Sequence, residues 1–243
     1  MAIAILLWEA VTAGRLVGPD YLSSPTDVAV ALATSVGPLL AALLGTLQTW
    51  ALGLGVATVG GAVLGIASAT NPLVDGTTDW LVRSLRSVPS LAFIPVAILL
   101  LGVTNQMQAA LVAVAAFWPV FVNAQHAARQ IKATHVETAR SLNLGRATFH
   151  RRITLPAVLP MISSGVRTSI GLAMAATISV ELVIGYGGLG GYVLEAQQST
   201  NTPLAYAGVV LGGCTGWLLN VLFTAFERRW LHWNYRVEEA SRS

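Results

Sequence analysis

The sequence predicts an all-α polytopic membrane protein with about six transmembrane helices. Three observations carry that expectation. Of the 243 residues, 54% are hydrophobic and only 10% are charged, whereas a soluble domain carries about 25% charged residues. The charges leave long gaps: 47 uncharged residues separate Asp27 from Asp75, 42 separate Arg86 from Arg129, and 31 separate Glu195 from Glu227. The apolar residues also run the whole length of the chain, whereas a signal peptide or a single anchor would collect them at one end. High hydrophobicity with low charge excludes intrinsic disorder.

A spanning helix needs roughly 20 apolar residues, and turn signals divide the gaps accordingly. The N-terminal segment 2–17 contains Glu9 and is short, but it lacks the basic n-region of a secretory signal and is counted as the first span. The second covers 46–69 and stops at Asn71-Pro72. The third covers 86–101, with Pro89 and Pro95 early in it, where proline kinks a helix. Gly102-Val103-Thr104-Asn105-Gln106 separates it from the fourth, at 108–124. The fifth covers 163–184 and ends at Gly185-Tyr186-Gly187-Gly188. The sixth covers 205–226.

Orientation follows from the Lys/Arg bias of short loops. With the N-terminus inside, 13 of the 14 basic residues fall in or beside the inner segments, and only Arg15 lies outside. The basic pI near 9.4 therefore reads as a topology signal. No basic patch with interleaved aromatics stands apart from the membrane loops, so a nucleic-acid partner is not expected.

Helices in lipid associate through small residues. Gly53, Ala57, Gly61 and Gly65 in the second span, and Gly208, Gly212 and Gly216 in the last, recur every four residues. That spacing places each set on one helical face, suited to static packing, a moving interface or a dimer contact.

The chain carries no sign of an enzyme and no catalytic residue is assigned. Cys214 is the only cysteine, and His126, His135, His150 and His232 have no metal-ligand spacing, so no metal site is expected. Lys132, the only lysine, lies in Gln130-Ile131-Lys132-Ala133, which is not a phosphate-binding Gly-Lys-Ser/Thr loop.

The largest polar stretch is the inner loop 125–162. Thr134 followed by Glu137 reads as a capping box that starts a short helix. Asn143 and Gly145 tolerate left-handed backbone and would end it. Pro156 and Pro160 would then bend the chain back toward the membrane. A short helix held across the inner face suits docking to a cytoplasmic partner.

This loop resembles the E-A-A-x3-G-x9-I-x-L-P motif of binding-protein-dependent ABC importer permeases. Glu137, Ala139, Ile153, Leu155 and Pro156 match at the right offsets. Thr138 replaces the first Ala, and Asn143 occupies the Gly position, with the nearest glycine at Gly145. Further pieces resemble the sulfonate/taurine/nitrate branch: Ser24-Pro25 followed by Val28, Arg86-Ser87-Val88-Pro89 with Ile94-Pro95, Ala139-Arg140-Ser141-Leu142, Val180-Glu181, Gly188-Leu189-Gly190 and Glu227-Arg228-Arg229.

The resemblance implies a single MetI-like permease domain over 1–243, with a cytoplasmic coupling helix, in the bacterial inner membrane with both termini cytoplasmic. It implies three partners: a cytoplasmic ABC ATPase dimer that binds ATP and Mg, an extracytoplasmic substrate-binding protein, and a second permease copy, identical or related. Glu137, Ala139, Arg140, Asn143, Leu144 and Gly145 would contact the ATPase. Small anions such as sulfonate, taurine or nitrate would be carried. Glu181 is a carboxylate within a span, which faces a cavity or a partner as a rule. Both a pathway role and a structural hydrogen bond are open to it. Trp118, Asn123 and Gln106 are further pathway candidates, with interfacial anchoring as the bland alternative. An ATP-independent secondary transporter or channel would instead require intramembrane charge pairs or broken helices in repeated halves, and a membrane scaffold would require no transport at all.

Overall fold

The computed structural model of the chain describes residues 2–14, 18, 21–70, 82, 84–130, 145, 148 and 154–231. Its regular elements are helices: α1 (Ala2–Ala13), α2 (Pro25–Thr34), α3 (Val36–Thr70), a 3-10 turn (Ser90–Phe93) leading into α4 (Ile94–Leu101), α5 (Asn105–Arg129), α6 (Leu155–Ile184), α7 (Gly188–Gln198) and α8 (Thr202–Trp230). Four of them, α3, α5, α6 and α8, are long and apolar enough to cross a membrane. At 1.5 Å per residue, α1 and the Ser90–Leu101 segment reach only about 18 Å each. That is short of the roughly 30 Å hydrocarbon layer.

The long helices extend beyond the expected spans. α3 starts at Val36 rather than 46, α5 runs 105–129 rather than 108–124, α6 starts at Leu155 rather than 163, and α8 runs 202–230 rather than 205–226. Proline in a first helical turn forfeits no hydrogen bond, so Pro38, Pro156 and Pro203 sit inside helices instead of ahead of them. Pro160 also lies within α6. Pro89 and Pro95 split the third span: Pro89 caps the 3-10 turn in an extended conformation, and Pro95 stands in the first turn of α4. The helical part of that span therefore begins at Ser90, and 86–89 form a turn.

Two short helices were not expected. α2 begins at Ser24, whose Oγ accepts the Asp27 N–H at 3.1 Å and donates to Asp27 Oδ2 at 2.7 Å. Pro25 follows at the first helical position, a standard start signal. α7 follows the glycine-rich turn and buries Leu189, Val193 and Ala196, spaced as one helical face.

The core lies where α3, α5 and α6 meet. Leu54 and Ala57 from α3, Val112 and Ala116 from α5, and Ile170, Ala173 and Ala176 from α6 form one buried cluster. Polar side chains tie the same helices: Ser169 donates to the Ala116 carbonyl at 2.7 Å, and Trp50 Nε1 to the Ile170 carbonyl at 3.2 Å. A second cluster joins α2, α3, α7 and α8 through Val28, Leu39, Leu189 and Ala207.

The small-residue stripes occupy the seams. On α3, a Cβ at Gly53 would lie 2.7 Å from Val112 Cβ, one at Gly61 3.0 Å from Val120 Cβ, and one at Gly65 2.5 Å from the Phe121 carbonyl oxygen. On α8, Gly208 faces Val193, Gly212 faces Ile178 and Gly216 faces Met174. Gly165 on α6 makes an equally close approach, to the Pro119 carbonyl oxygen at 2.8 Å. Cys214 points away from these seams and is exposed.

Overpacking such a seam costs about 1–3 kcal/mol. Gly65→Ala should therefore lower the thermal unfolding temperature of the full chain in lipid nanodiscs. Gly55→Ala, on the open face of the same helix with no neighbour within 4 Å, should leave it unchanged. Equal effects of the two substitutions would refute the glycine seam as the reason for the close α3–α5 approach.

Candidate functional site

Helix α7 begins without a cap of its own. Its N-cap position is Gly187, which offers no side chain. The first N–H groups of a helix have no intrahelical acceptors and need partners from elsewhere. Two distant residues supply them. Thr46 Oγ1, from α3, accepts the Leu189 N–H at 2.8 Å. Glu181 Oε2, from α6, accepts the Gly190 N–H at 2.9 Å. Thr46 in turn donates its hydroxyl to Glu181 Oε2 at 2.9 Å.

The result is a closed network of three helices around one carboxyl group. Glu181 is only 1% exposed, and it lies at the positive end of the α7 dipole, where negative charge is favoured. Its other oxygen, Oε1, is buried without a hydrogen-bond partner among the described residues.

The backbone around Glu181 is built to let it in. Gly187 and Gly188 have φ of 71° and 59°, a region that favours glycine. A Cβ on Gly188 would collide with the Glu181 carboxyl group. A Cβ on Gly190 would lie 2.5 Å from Glu181 Cβ and 2.5 Å from the Ile178 carbonyl oxygen.

A second polar link stands beside the first. Gln108, buried on α5, donates Nε2 to the Tyr186 carbonyl at 2.8 Å, and Thr49 Oγ1 approaches Gln108 Oε1 at 3.4 Å. The Gly185–Gly188 turn and the first residues of α7 are thus held from α3, α5 and α6 together. The turn forms one wall of a surface groove of about 740 Å³ that also includes Tyr192, Glu195 and Gln198.

The sequence-predicted residues fall in different places. Glu181 is the centre of the network. Trp118 and Asn123 are remote from it on α5, where both line a separate cleft of about 470 Å³. Gln106 is exposed in the first turn of α5. Thr46, Thr49 and Gln108 were not singled out from the sequence, although polar side chains inside apolar spans were the available signal. Of the loop residues, Glu137, Ala139, Arg140, Asn143 and Leu144 lie outside the described residues, and Gly145 is exposed. The described parts of 125–162 at either end belong to α5 and α6. Nearby, Arg167 on α6 pairs with the buried Glu227 on α8 at 3.3 Å.

The network predicts a specific mutational pattern. Leaving a buried donor unsatisfied costs about 1–3 kcal/mol. Glu181→Ala and Thr46→Val should each lower thermal stability in nanodiscs by that order, whereas Glu181→Gln and Thr46→Ser keep an acceptor and should lose much less. If Gln proved as damaging as Ala at position 181, capping of α7 would not be what the side chain does.

Comparison with known proteins agrees with this architecture. The family model described as "Binding-protein-dependent transport system inner membrane component" matches residues 61–230. The chain is similar to the taurine transport system permease protein TauC of Escherichia coli (strain K12), 28% identical over 98% of this chain and 89% of the relative. It is similar also to a probable ABC transporter permease protein of Brucella abortus (strain 2308), 30% identical over 97% of this chain and 94% of the relative. A third relative is the nitrate import permease protein NrtB of Leptolyngbya laminosa, 27% identical over 85% of this chain and 71% of the relative. Among solved structures, an inward-facing form of the MetNI methionine ABC transporter shares the fold, with a TM-score of 0.60 and 21% identity over 81% of this chain and 96% of that one. The chain is a multi-pass membrane protein, and it belongs to the family of binding-protein-dependent transport system inner membrane components.

Proposed function

We propose that this chain is the membrane-spanning subunit of an ABC importer for small oxyanions of the sulfonate, taurine or nitrate type. The family match over 61–230 carries the reading, and the relatives named for taurine and nitrate transport support the substrate class. Two copies, or this chain and a related one, enclose the pathway, and an extracytoplasmic binding protein delivers the anion. Both termini are cytoplasmic.

The loop 125–162 faces the cytoplasm and engages the partner ATPase, which binds ATP and Mg. Within it, Glu137, Ala139, Arg140, Asn143, Leu144 and Gly145 form the contact. The loop is held between the inner ends of α5 and α6. α6 is a 30-residue helix, about 45 Å long at 1.5 Å per residue, and it carries Glu181 one turn before its outer end. A displacement of the loop by the closing ATPase is thereby delivered as a rigid-body movement to the α6–α7 turn.

Glu137→Arg places a cation where the motif has a carboxylate. It should reduce co-purification of the ATPase from native membranes and abolish uptake of the binding protein's ligand, with Glu137→Ala intermediate. ATPase recovery and uptake both equal to the unmodified chain would remove Glu137 from the contact. Recovery of no Walker-motif ATPase even with the unmodified chain would favour a secondary transporter or channel.

A further inference from the structure

The cleft that holds Trp118 and Asn123 has a third polar wall. Arg86, in the turn ahead of the Ser90–Phe93 segment, lines it together with Ser87, Pro119 and Leu172. Arg86 is the last charge before the 42-residue uncharged gap. Its guanidinium has no side-chain partner among the described residues, and no carboxylate from those residues lines the cleft.

The other walls add neutral donors. Trp118 is half-buried, its ring packed edge-on against Phe117 and Phe121. Its indole N–H has no acceptor among the described residues, although a buried tryptophan N–H usually finds one. Asn123 donates one amide hydrogen to the Pro119 carbonyl at 2.8 Å. That bond fixes the side chain and leaves its second N–H for another acceptor. Leu172 and the Pro119 ring supply an apolar lining. A volume of about 470 Å³ lies within the roughly 300–1,000 Å³ typical of small-molecule sites. The cleft therefore combines one positive charge, with no carboxylate among the described residues lining it, with the neutral donors of Trp118 and Asn123.

We propose that this cleft is an oxyanion-binding subsite in which Arg86 supplies the counter-charge and Trp118 and Asn123 supply neutral hydrogen bonds. The planar guanidinium suits a sulfonate, nitrate or phosphate group, whose oxygens accept two parallel N–H bonds. The anion comes either free, as a transported solute, or on a phospholipid headgroup. Assigning the free form to transport rests on the permease reading above.

The full chain is reconstituted in phosphatidylcholine nanodiscs and titrated with sodium ethanesulfonate against sodium chloride at matched ionic strength, with intrinsic tryptophan fluorescence as the readout. A saturable change is expected. Because hydrogen bonds to charged groups contribute about 1.5–3 kcal/mol, Arg86→Ala should raise the half-saturating concentration about tenfold or more. Arg86→Lys keeps the charge without the fork and should fall between the two, and Trp118→Phe should remove most of the signal. A parallel preparation containing phosphatidylglycerol distinguishes the sources. Retention of that lipid in native mass spectra, lost in Arg86→Ala and suppressing the ethanesulfonate response, identifies a headgroup. A response unaffected by the lipid identifies a free anion. No saturable response together with no Arg86-dependent lipid retention would overturn the subsite, as would equal half-saturation in Arg86→Ala and the unmodified chain. ATPase co-purification is scored on the same preparations. Loss of anion binding with the ATPase retained refutes the subsite alone, and absence of the ATPase with anion binding retained refutes the permease reading alone.

Discussion

The arrangement of this bundle depends on one contact, the capping of a short helix by a carboxylate from another. α7 begins at glycine and cannot satisfy its own first N–H groups. Thr46 and Glu181, from helices that approach it from different directions, do so instead. Both acceptors are buried, Thr46 at 0% and Glu181 at 1% exposure, so water cannot substitute for either and the two caps fix where α7 stands. The requirement then spreads outward. Room for the Glu181 side chain demands Gly188 and Gly190, and the reach of Thr46 to α7 demands an α3 held close to the bundle.

That last demand is met by the glycine seam. Lipid gives helices no hydrophobic reason to associate, so contact must come from shape and from hydrogen bonds. At Gly53, Gly61 and Gly65 the α3 backbone sits against α5 with no room for a methyl group. Ser169 and Trp50 add polar links to backbone carbonyls across the core. α8 is different: its apolar stretch is largely uncovered, and Trp217, Leu222 and Phe226 are exposed.

How far the sequence reveals this depends on the range of the interaction. Apolar spans and four-residue glycine spacing are local patterns, and four of the six spans they point to are helices long enough to cross a membrane, with the expected packing faces. Helix starts are less legible: Pro156 reads as a bend yet sits harmlessly in the first turn of α6, as Pro38 and Pro203 do in α3 and α8. The Ser24-Pro25-Asp27 start of α2 is a local signal that could have been read as a cap. α7 is hidden because a run with four glycines between 187 and 191 reads as loop. Its caps come from other helices, Glu181 on α6 and Thr46, 143 residues away in sequence, on α3. Gln106 and Gln108 show the same limit: both are polar residues near the start of α5, and only the fold determines that the second turns inward.

The 35-residue α3 spans about 52 Å at 1.5 Å per residue, well beyond the hydrocarbon thickness, and such helices accommodate the excess by tilting or by thickening the surrounding bilayer. α3 cannot tilt alone, because its seam with α5 leaves no slack, so the pair leans as a unit. Thr46 is carried on that unit, and Glu181 on α6, which Gly165 holds against α5 equally closely. The acyl-chain length of the host membrane therefore bears on the geometry of a carboxyl group buried in the protein, and lipid composition becomes a variable in how firmly the outer turn is held.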